Sequence, residues 1–164
     1  MTTPIAPHIT AFLREHLPRT REASPHTCDS YAYAFQMLFS FASARLKVRA
    51  SDLTIEQLDV PLVLEFLDHL ETTRRNGASS RNARLAAIRS FFRFVEYRVP
   101  AAMDQVRRIR AIPVKRTTSR LVAHLSRDEM QAILDAPLPS TRMGIRDRAL
   151  LHVAVAAGLR VSEL

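Results

Sequence analysis

Hydrophobic residues recur every three or four positions along much of the chain, which is the spacing that puts them on one face of a helix. Tyr31, Phe35, Leu38 and Ala42 form a clear series of this kind. Ser24, which is followed by a proline, predicts where this helix begins. A serine caps the free amides of a first helical turn, and proline suits the first helical position.

Three more helices are predicted in the first hundred residues. One covers residues 5–17 and stops at Pro18. A third covers residues 62–74 and ends at Gly77, in the left-handed conformation that glycine tolerates. A fourth, capped by Ser79 or Ser80, runs to about residue 98, and a short helical turn is expected at residues 53–58. The apolar positions of the third and fourth helices share helical spacing: Val63, Phe66, Leu67, Leu70, Leu85, Ile88, Phe92 and Val95. We therefore predict a compact bundle of four or five helices over residues 1–100.

The rest of the chain divides into a basic linker and a short helical part. Residues 101–120 have few apolar anchors and are predicted to be the linker. Ser126 and Glu129 have the spacing of a capping box, which begins a helix over the residues that follow. Another helix, residues 145–157, is apolar almost all round and ends at Gly158. Because this part has so few elements to bury that helix, residues 121–164 are predicted to be a fragment of a larger domain.

Positive charge is concentrated in the middle of the chain. Residues 1–73 carry six basic and nine acidic side chains, and residues 121–164 balance at zero. Residues 74–98 carry seven arginines against one glutamate, and residues 101–120 carry six basic side chains against one aspartate. This block of net charge +11 favours a polyanionic partner, because its self-repulsion must be offset.

Several other kinds of chemistry have no support in the sequence. Cys28 is the single cysteine, which excludes an internal disulfide and a cysteine-based zinc site. The six histidines are scattered and the three glycines form no phosphate-binding loop, so we expect no metal, nucleotide or other cofactor. No apolar run approaches the roughly 20 residues of a membrane span, and the N-terminus does not resemble a secretory signal. We expect a cytoplasmic protein without a membrane partner.

Three segments resemble one family, the tyrosine recombinases or phage integrases, and in particular the Xer-like site-specific recombinases. Ser24-x-x-Thr27-x-x-x-Tyr31 resembles the start of the long second helix of their core-binding domain. Residues 79–94 (SSRNARLAAIRSFFRF) resemble that domain's last helix. Residues 148–151 (RALL) and 157–164 (AGLRVSEL) resemble the segment with the first catalytic arginine, although Ala157 stands where many relatives have threonine. The matches follow the family's order along almost the whole chain.

The resemblance implies an all-α chain: a SAM-like core-binding domain that clamps DNA, a basic linker, and the helical beginning of a catalytic domain. It implies that Arg160 is a catalytic residue. In this family a tyrosine attacks a DNA phosphodiester and forms a 3′-phosphotyrosyl intermediate, and arginine suits the charge that gathers on the phosphate oxygens. The other catalytic groups and the nucleophile lie downstream in the family, so these 164 residues are predicted to be inactive alone. The resemblance also implies self-association on DNA, as a tetramer, without metal or nucleotide.

Two groups of basic residues are predicted to contact double-stranded DNA. Those of the fourth helix would contact phosphates and some base edges, although a solvated face with extended stems is an alternative. Those of the linker would follow the phosphate backbone. Glu163 is expected to have a structural role. The predicted DNA-binding residues are Arg81, Arg84, Arg89, Arg93, Arg107, Arg108, Arg110, Lys115 and Arg116.

Two other classes of protein remain open at this stage. A helical DNA-binding regulator that never cuts explains the charge block but not the AGLRVSEL segment. A helical protein-interaction module leaves the block of charge +11 unexplained. Binding to duplex DNA at moderate salt distinguishes the interaction module from the other two.

Overall fold

The computed structural model describes residues 2–118 and 124–164. Its described part is helical throughout and contains no β-strand. It divides into two compact units, Met1–Thr118 and Ser119–Leu164. The all-α prediction is therefore confirmed. None of the helices within residues 2–118 and 124–164 combines the length and the hydrophobicity of a membrane-spanning segment.

The N-terminal helix changes its winding partway along. Helix α1 covers Ile5–Ala11, and a π-helical segment, Phe12–Thr20, continues directly from it. The prediction that the helix stops at Pro18 is wrong, because Pro18 lies inside this segment. A proline in an α-helix clashes with the carbonyl four residues earlier, and the wider π winding avoids that position.

Three long helices follow: α2 at Pro25–Leu46, α3 at Val60–Thr72 and α4 at Ala78–Glu96. The predicted cap of α2 is confirmed, since the Ser24 side chain accepts a hydrogen bond from the backbone of Thr27. The boundary between α3 and α4 is not as predicted. Arg75 has the left-handed conformation there, whereas Gly77 has ordinary extended torsions and is itself the N-cap of α4.

A fifth helix, α5 at Met103–Ala111, occupies part of the predicted linker. Val106, Ile109 and Ile112 are buried in the core of the first unit. The Gln105 amide donates to the carbonyls of Ile55 and Leu58, at 2.7 and 2.9 Å. The description of residues 101–120 as a linker with few apolar anchors is therefore wrong for α5 and the residue after it, because Val106, Ile109 and Ile112 pack against the bundle.

The core of the first unit is built around a cluster of aromatic rings. Phe12 is fully buried, and its ring centroid lies 5.4–6.0 Å from those of Phe35, Phe91 and Phe94. These rings come from the π-helical segment, α2 and α4, so they join the start of the unit to its later helices. Edge-on and tilted contacts of this kind add to the stabilisation from burial.

The second unit contains two helices, α6 at Arg127–Asp135 and α7 at Arg142–Ala157. The capping box between Ser126 and Glu129 is present, and Gly158 ends α7 with a left-handed φ of 64°. Leu134 is the one buried hydrophobic side chain among its described residues, while Ile145 and Val153 are more than half exposed. Among the described residues of this unit, α7 is thus an apolar helix without a covering layer.

Candidate nucleic-acid interface

The outward face of α4 is lined by small side chains. Its inward face carries Leu85, Ile88 and the other apolar residues of the predicted stripe, all fully buried. On the opposite face, at helical spacing, Ala83 and Ala86 are exposed and Ser90 is partly exposed. Small side chains let the helix axis approach another surface closely, as a helix must when it enters the major groove of DNA.

Arg93 ends this row of small residues. Its side chain is exposed, and it has no ion-pair or hydrogen-bond partner among residues 2–118 and 124–164. Among the four arginines predicted on α4, Arg93 is the one whose guanidinium is available to an external phosphate without breaking a contact within the unit.

Arg84 lies on another side of α4, against α2. Its guanidinium carbon is 5.2 Å from the centre of the Tyr33 ring, a cation–π distance. Arg74 donates to the Tyr33 hydroxyl at 3.4 Å. Neither Arg74 nor Tyr33 was among the predicted DNA-binding residues. The signal was available for Arg74, which begins the positively charged block.

Arg81 is a buried cation. Only 6% of its side chain is exposed, and its Nε lies 3.6 Å from Glu71. One of its terminal nitrogens donates to the carbonyl of Pro113 at 3.2 Å. Arg81 therefore has no free surface to offer a phosphate, and the structure does not support its predicted DNA contact.

Arg89 is also turned toward the protein. Its guanidinium donates to the carbonyl of Ile112, just after α5. Arg89 and Arg93 lie four residues apart and share the same charge and predicted role. The structure separates them, because the chain after α5 runs beside Arg89 but not beside Arg93.

The cations of α5 differ in their availability. Arg110 pairs with Glu96 at 2.7 Å. Arg108 lies 3.9 Å from Asp104, with both side chains mostly exposed, so this pair contributes little to stability. Arg107 contacts only the Met103 sulfur, at 3.7 Å, among the described residues. Arg107 and Arg108 are thus free to move onto a phosphate, whereas Arg110 would first have to leave its carboxylate.

The segment that follows α5 carries the last two predicted DNA-binding residues, Lys115 and Arg116. We call residues 112–116 the exit segment. Lys115 pairs with Glu71 at 2.7 Å. Arg116 is exposed and has no ion-pair partner in the described residues. It lines a recess beside the first turn of α4, together with Gly77, Ala78, Ser79, Thr117 and Thr118.

A second basic cluster, which was not predicted, contains His8, His16, Arg21 and Arg98. Arg98 sits 4.2 Å from the centre of the Phe94 ring. Burial lowers the pKa of His8, and repulsion from Arg98 lowers it further. Burial likewise lowers the pKa of His16, and repulsion from Arg21 and Arg98 lowers it further. Neither histidine had a signal in the sequence, because they lie in the N-terminal helices and come close to Arg98 only in the folded unit.

Arg160, the predicted catalytic residue, lies in the second unit directly after α7. Its side chain is 84% exposed, and its nearest carboxylate is Glu163 at 3.6 Å. Glu163 also accepts a hydrogen bond from the Arg160 backbone at 2.7 Å. Glu163 thus makes the kind of structural contact that was expected, while the Arg160 guanidinium is open to an external anion. No group of three or more metal-ligating side chains occurs within the described ranges.

Comparison with known proteins finds integrases and tyrosine recombinases both for the first unit and for the chain as a whole. The family described as "Phage integrase, N-terminal SAM-like domain" matches residues 9–98. The chain is 46% identical over 160 residues to the Sinorhizobium fredii protein y4rC, which is described as an integrase/recombinase, covering 98% of this chain and 48% of the relative. It is 35% identical over 161 residues to the tyrosine recombinase XerC of Pelobacter propionicus, covering 98% and 50%. No solved structure gives a significant match. The chain therefore spans about half the length of these curated relatives.

Proposed function

Because the chain belongs to the phage integrase N-terminal SAM-like domain family, we propose that its first unit binds double-stranded DNA during site-specific recombination. The observation that carries the proposal is the exposed face of α4, where small side chains end at the unpaired Arg93. A helix with such a face can approach the base edges, while its arginine contacts a phosphate. The relatives named above come from bacteria, whose chromosomal DNA lies in the cytoplasm, so we propose that location as well.

The cations available for phosphate contact are fewer than the charge block suggests. Arg81 and Arg89 are bound to the exit segment, and Arg110 and Lys115 to carboxylates. Among the nine predicted DNA-binding residues, the exposed cations that lack a strong partner in the described residues are Arg93, Arg107, Arg108 and Arg116, while Arg84 lies over the Tyr33 ring. Four or five phosphate contacts predict a slope of log K against log salt concentration of about −4.

A titration of a fluorescent 30-base-pair duplex at several salt concentrations tests the proposal. We expect binding that weakens steeply as salt rises, because each neutralised phosphate releases counterions. An absence of binding at low salt would contradict DNA recognition and favour a protein-interaction module. A non-catalytic DNA-binding regulator would give the same titration, so it has to be distinguished by strand cleavage.

For the reaction itself, we propose that Arg160 stabilises the charge on a DNA phosphate under attack. Its guanidinium is exposed and can bind two phosphate oxygens at once. The three tyrosines, Tyr31, Tyr33 and Tyr97, all belong to the first unit, and we propose that none is the nucleophile. We further propose that cleavage requires groups outside these 164 residues, and that the complete recombinase self-associates on DNA as a tetramer.

That proposal is tested with a nicked suicide duplex. Cleavage releases a short strand that diffuses away, so the covalent protein–DNA adduct cannot be religated and accumulates. We expect no SDS-resistant adduct from residues 1–164 alone. Fusion to the remaining half of a close relative should restore adduct formation. An adduct from the unfused chain would show that one of its own tyrosines is the nucleophile.

A further inference from the structure

We propose that Asn82, together with Arg81 and Arg89, is a backbone clamp that holds the exit segment along α4 before DNA binds. These residues would be positioning residues: they act on DNA binding through Arg116, which the segment carries, and not by touching DNA. The clamp itself is a property of the free protein, whereas its effect on DNA binding rests on the proposed function.

Asn82 makes the most specific contact of the clamp. Its side-chain amide nitrogen donates to the Lys115 carbonyl at 2.7 Å, and its oxygen accepts from the Lys115 N–H at 3.0 Å. A carboxamide offers one donor group and one acceptor side by side, so it can satisfy both backbone groups of a single residue. The same oxygen also accepts from Arg81 at 3.3 Å, so an aspartate at this position would keep the bonds to Arg81 and to the Lys115 N–H and lose the bond to the Lys115 carbonyl.

The two arginines bind the preceding carbonyls. Arg81 donates to Pro113, and Arg89, two helical turns after Asn82, donates to Ile112. The clamp thus engages the backbone at residues 112, 113 and 115 from a single helix. Because the bonded groups belong to the backbone, they set the path of the chain itself, and not merely the orientation of its side chains.

Glu71 on α3 interacts electrostatically with Arg81 on α4 and with Lys115 on the exit segment. It lies 3.6 Å from the buried Nε of Arg81 and 2.7 Å from Nζ of Lys115. A cation as deeply buried as Arg81 is costly unless it is paired and hydrogen-bonded. The exit segment supplies a carbonyl to Arg81 and a second cation to Glu71, so Arg81 has this hydrogen bond only when the segment is in place, while its Nε remains without one.

The consequence for DNA binding is preorganisation. The clamp ends at Lys115, and the next residue is Arg116, which lies beside the first turn of α4. A segment that is already ordered does not lose its conformational freedom when DNA binds. Loss of the clamp should therefore weaken binding without changing the number of phosphates contacted.

Hydrogen exchange on the DNA-free chain of 164 residues tests the clamp directly. In Asn82→Ala we expect the Lys115 amide to exchange at least about tenfold faster, corresponding to a loss of roughly 1.4 kcal/mol in local protection. Asn82→Asp should give an intermediate rate, because the bond to the N–H remains. Trypsin cleavage after Lys115 should accelerate in the same order. The matched control is Gln36→Ala, an exposed change on α2, which should leave both rates unchanged.

The DNA titration then tests the positioning role. We expect the Kd of Asn82→Ala to rise threefold to tenfold with an unchanged salt slope, because no charge is removed. Equal exchange rates in Asn82→Ala and the unmodified chain would overturn the clamp, provided that circular dichroism shows both to be folded. Faster exchange with an unchanged Kd would overturn the positioning role. If the unmodified chain fails to bind DNA, the proposed function fails, while the exchange result still decides the clamp.

Discussion

Arg89 and Arg93 provide a sharp test of the interface, because they are the same residue type one helical turn apart. Arg89 donates to the Ile112 carbonyl, whereas Arg93 is exposed and has no partner within the described residues. Arg89→Ala removes a charged hydrogen bond and leaves a carbonyl unpaired. Such bonds contribute about 1.5–3 kcal/mol, and because Arg89 is partly exposed we expect a loss of about 1–2 kcal/mol in the free energy of unfolding. For a unit of this size that lowers Tm by roughly 5 °C or more.

Arg93→Ala should leave the stability of the unit unchanged and weaken its binding to DNA. Its Tm should stay within about 2 °C, as expected for a surface substitution. Its salt slope in the duplex titration should become less steep by about 0.9, the value for one phosphate contact. Arg93→Lys should restore the slope because it restores the charge. If Arg89→Ala instead flattens the slope by the same amount at unchanged Tm, then Arg89 binds phosphate and its contact with the exit segment has no structural importance.

Three further predictions concern the core, the pH response and the reaction. Phe12→Ala should lower the free energy of unfolding by about 3–5 kcal/mol in urea titration, because its fully buried ring leaves a cavity. The folded-state pKa values of His8 and His16 are lowered, so the unfolded chain binds more protons below about pH 6.5. The stability present above pH 6.5 should therefore decline as pH falls through the folded-state values, and the decline in Tm should be smaller in a variant that carries both His8→Gln and His16→Gln. An equal decline in the variant and in the unmodified chain would contradict this. In the fused, cleavage-competent protein, Arg160→Ala should slow adduct formation by roughly 10²–10³ while the duplex Kd stays nearly unchanged.

Much of the helical framework could be predicted because its signals are local. The stripe of α2, with its Ser24 cap, and the apolar faces of α3 and α4 follow from spacing within one segment. So do the capping box at Ser126 and the left-handed Gly158 at the end of α7. In each case the residues that decide the conformation are within a few positions of one another. Arg75 shows the limit of such reasoning, since it takes the left-handed conformation although a glycine stands two residues later.

Helix α5 was missed for a different reason. Val106, Ile109 and Ile112 have helical spacing, but they lie among so many cations that the segment was interpreted as a solvated linker. Whether three apolar residues suffice to bury a helix depends on the surface that the other helices present. That surface is assembled from residues distant in the chain, such as the carbonyls of Ile55 and Leu58 that Gln105 binds.

The sequence by itself determined that this chain is helical, that its positive charge is concentrated between residues 74 and 120, and that its motifs follow the order found in tyrosine recombinases. Only the tertiary structure decided which of those side chains are held by contacts within the first unit and which remain exposed. Charge is a property of each residue, but its availability depends on what lies beside it. Arg81 is buried and Arg89 is bound because the exit segment returns to α4, whereas Arg93 remains exposed.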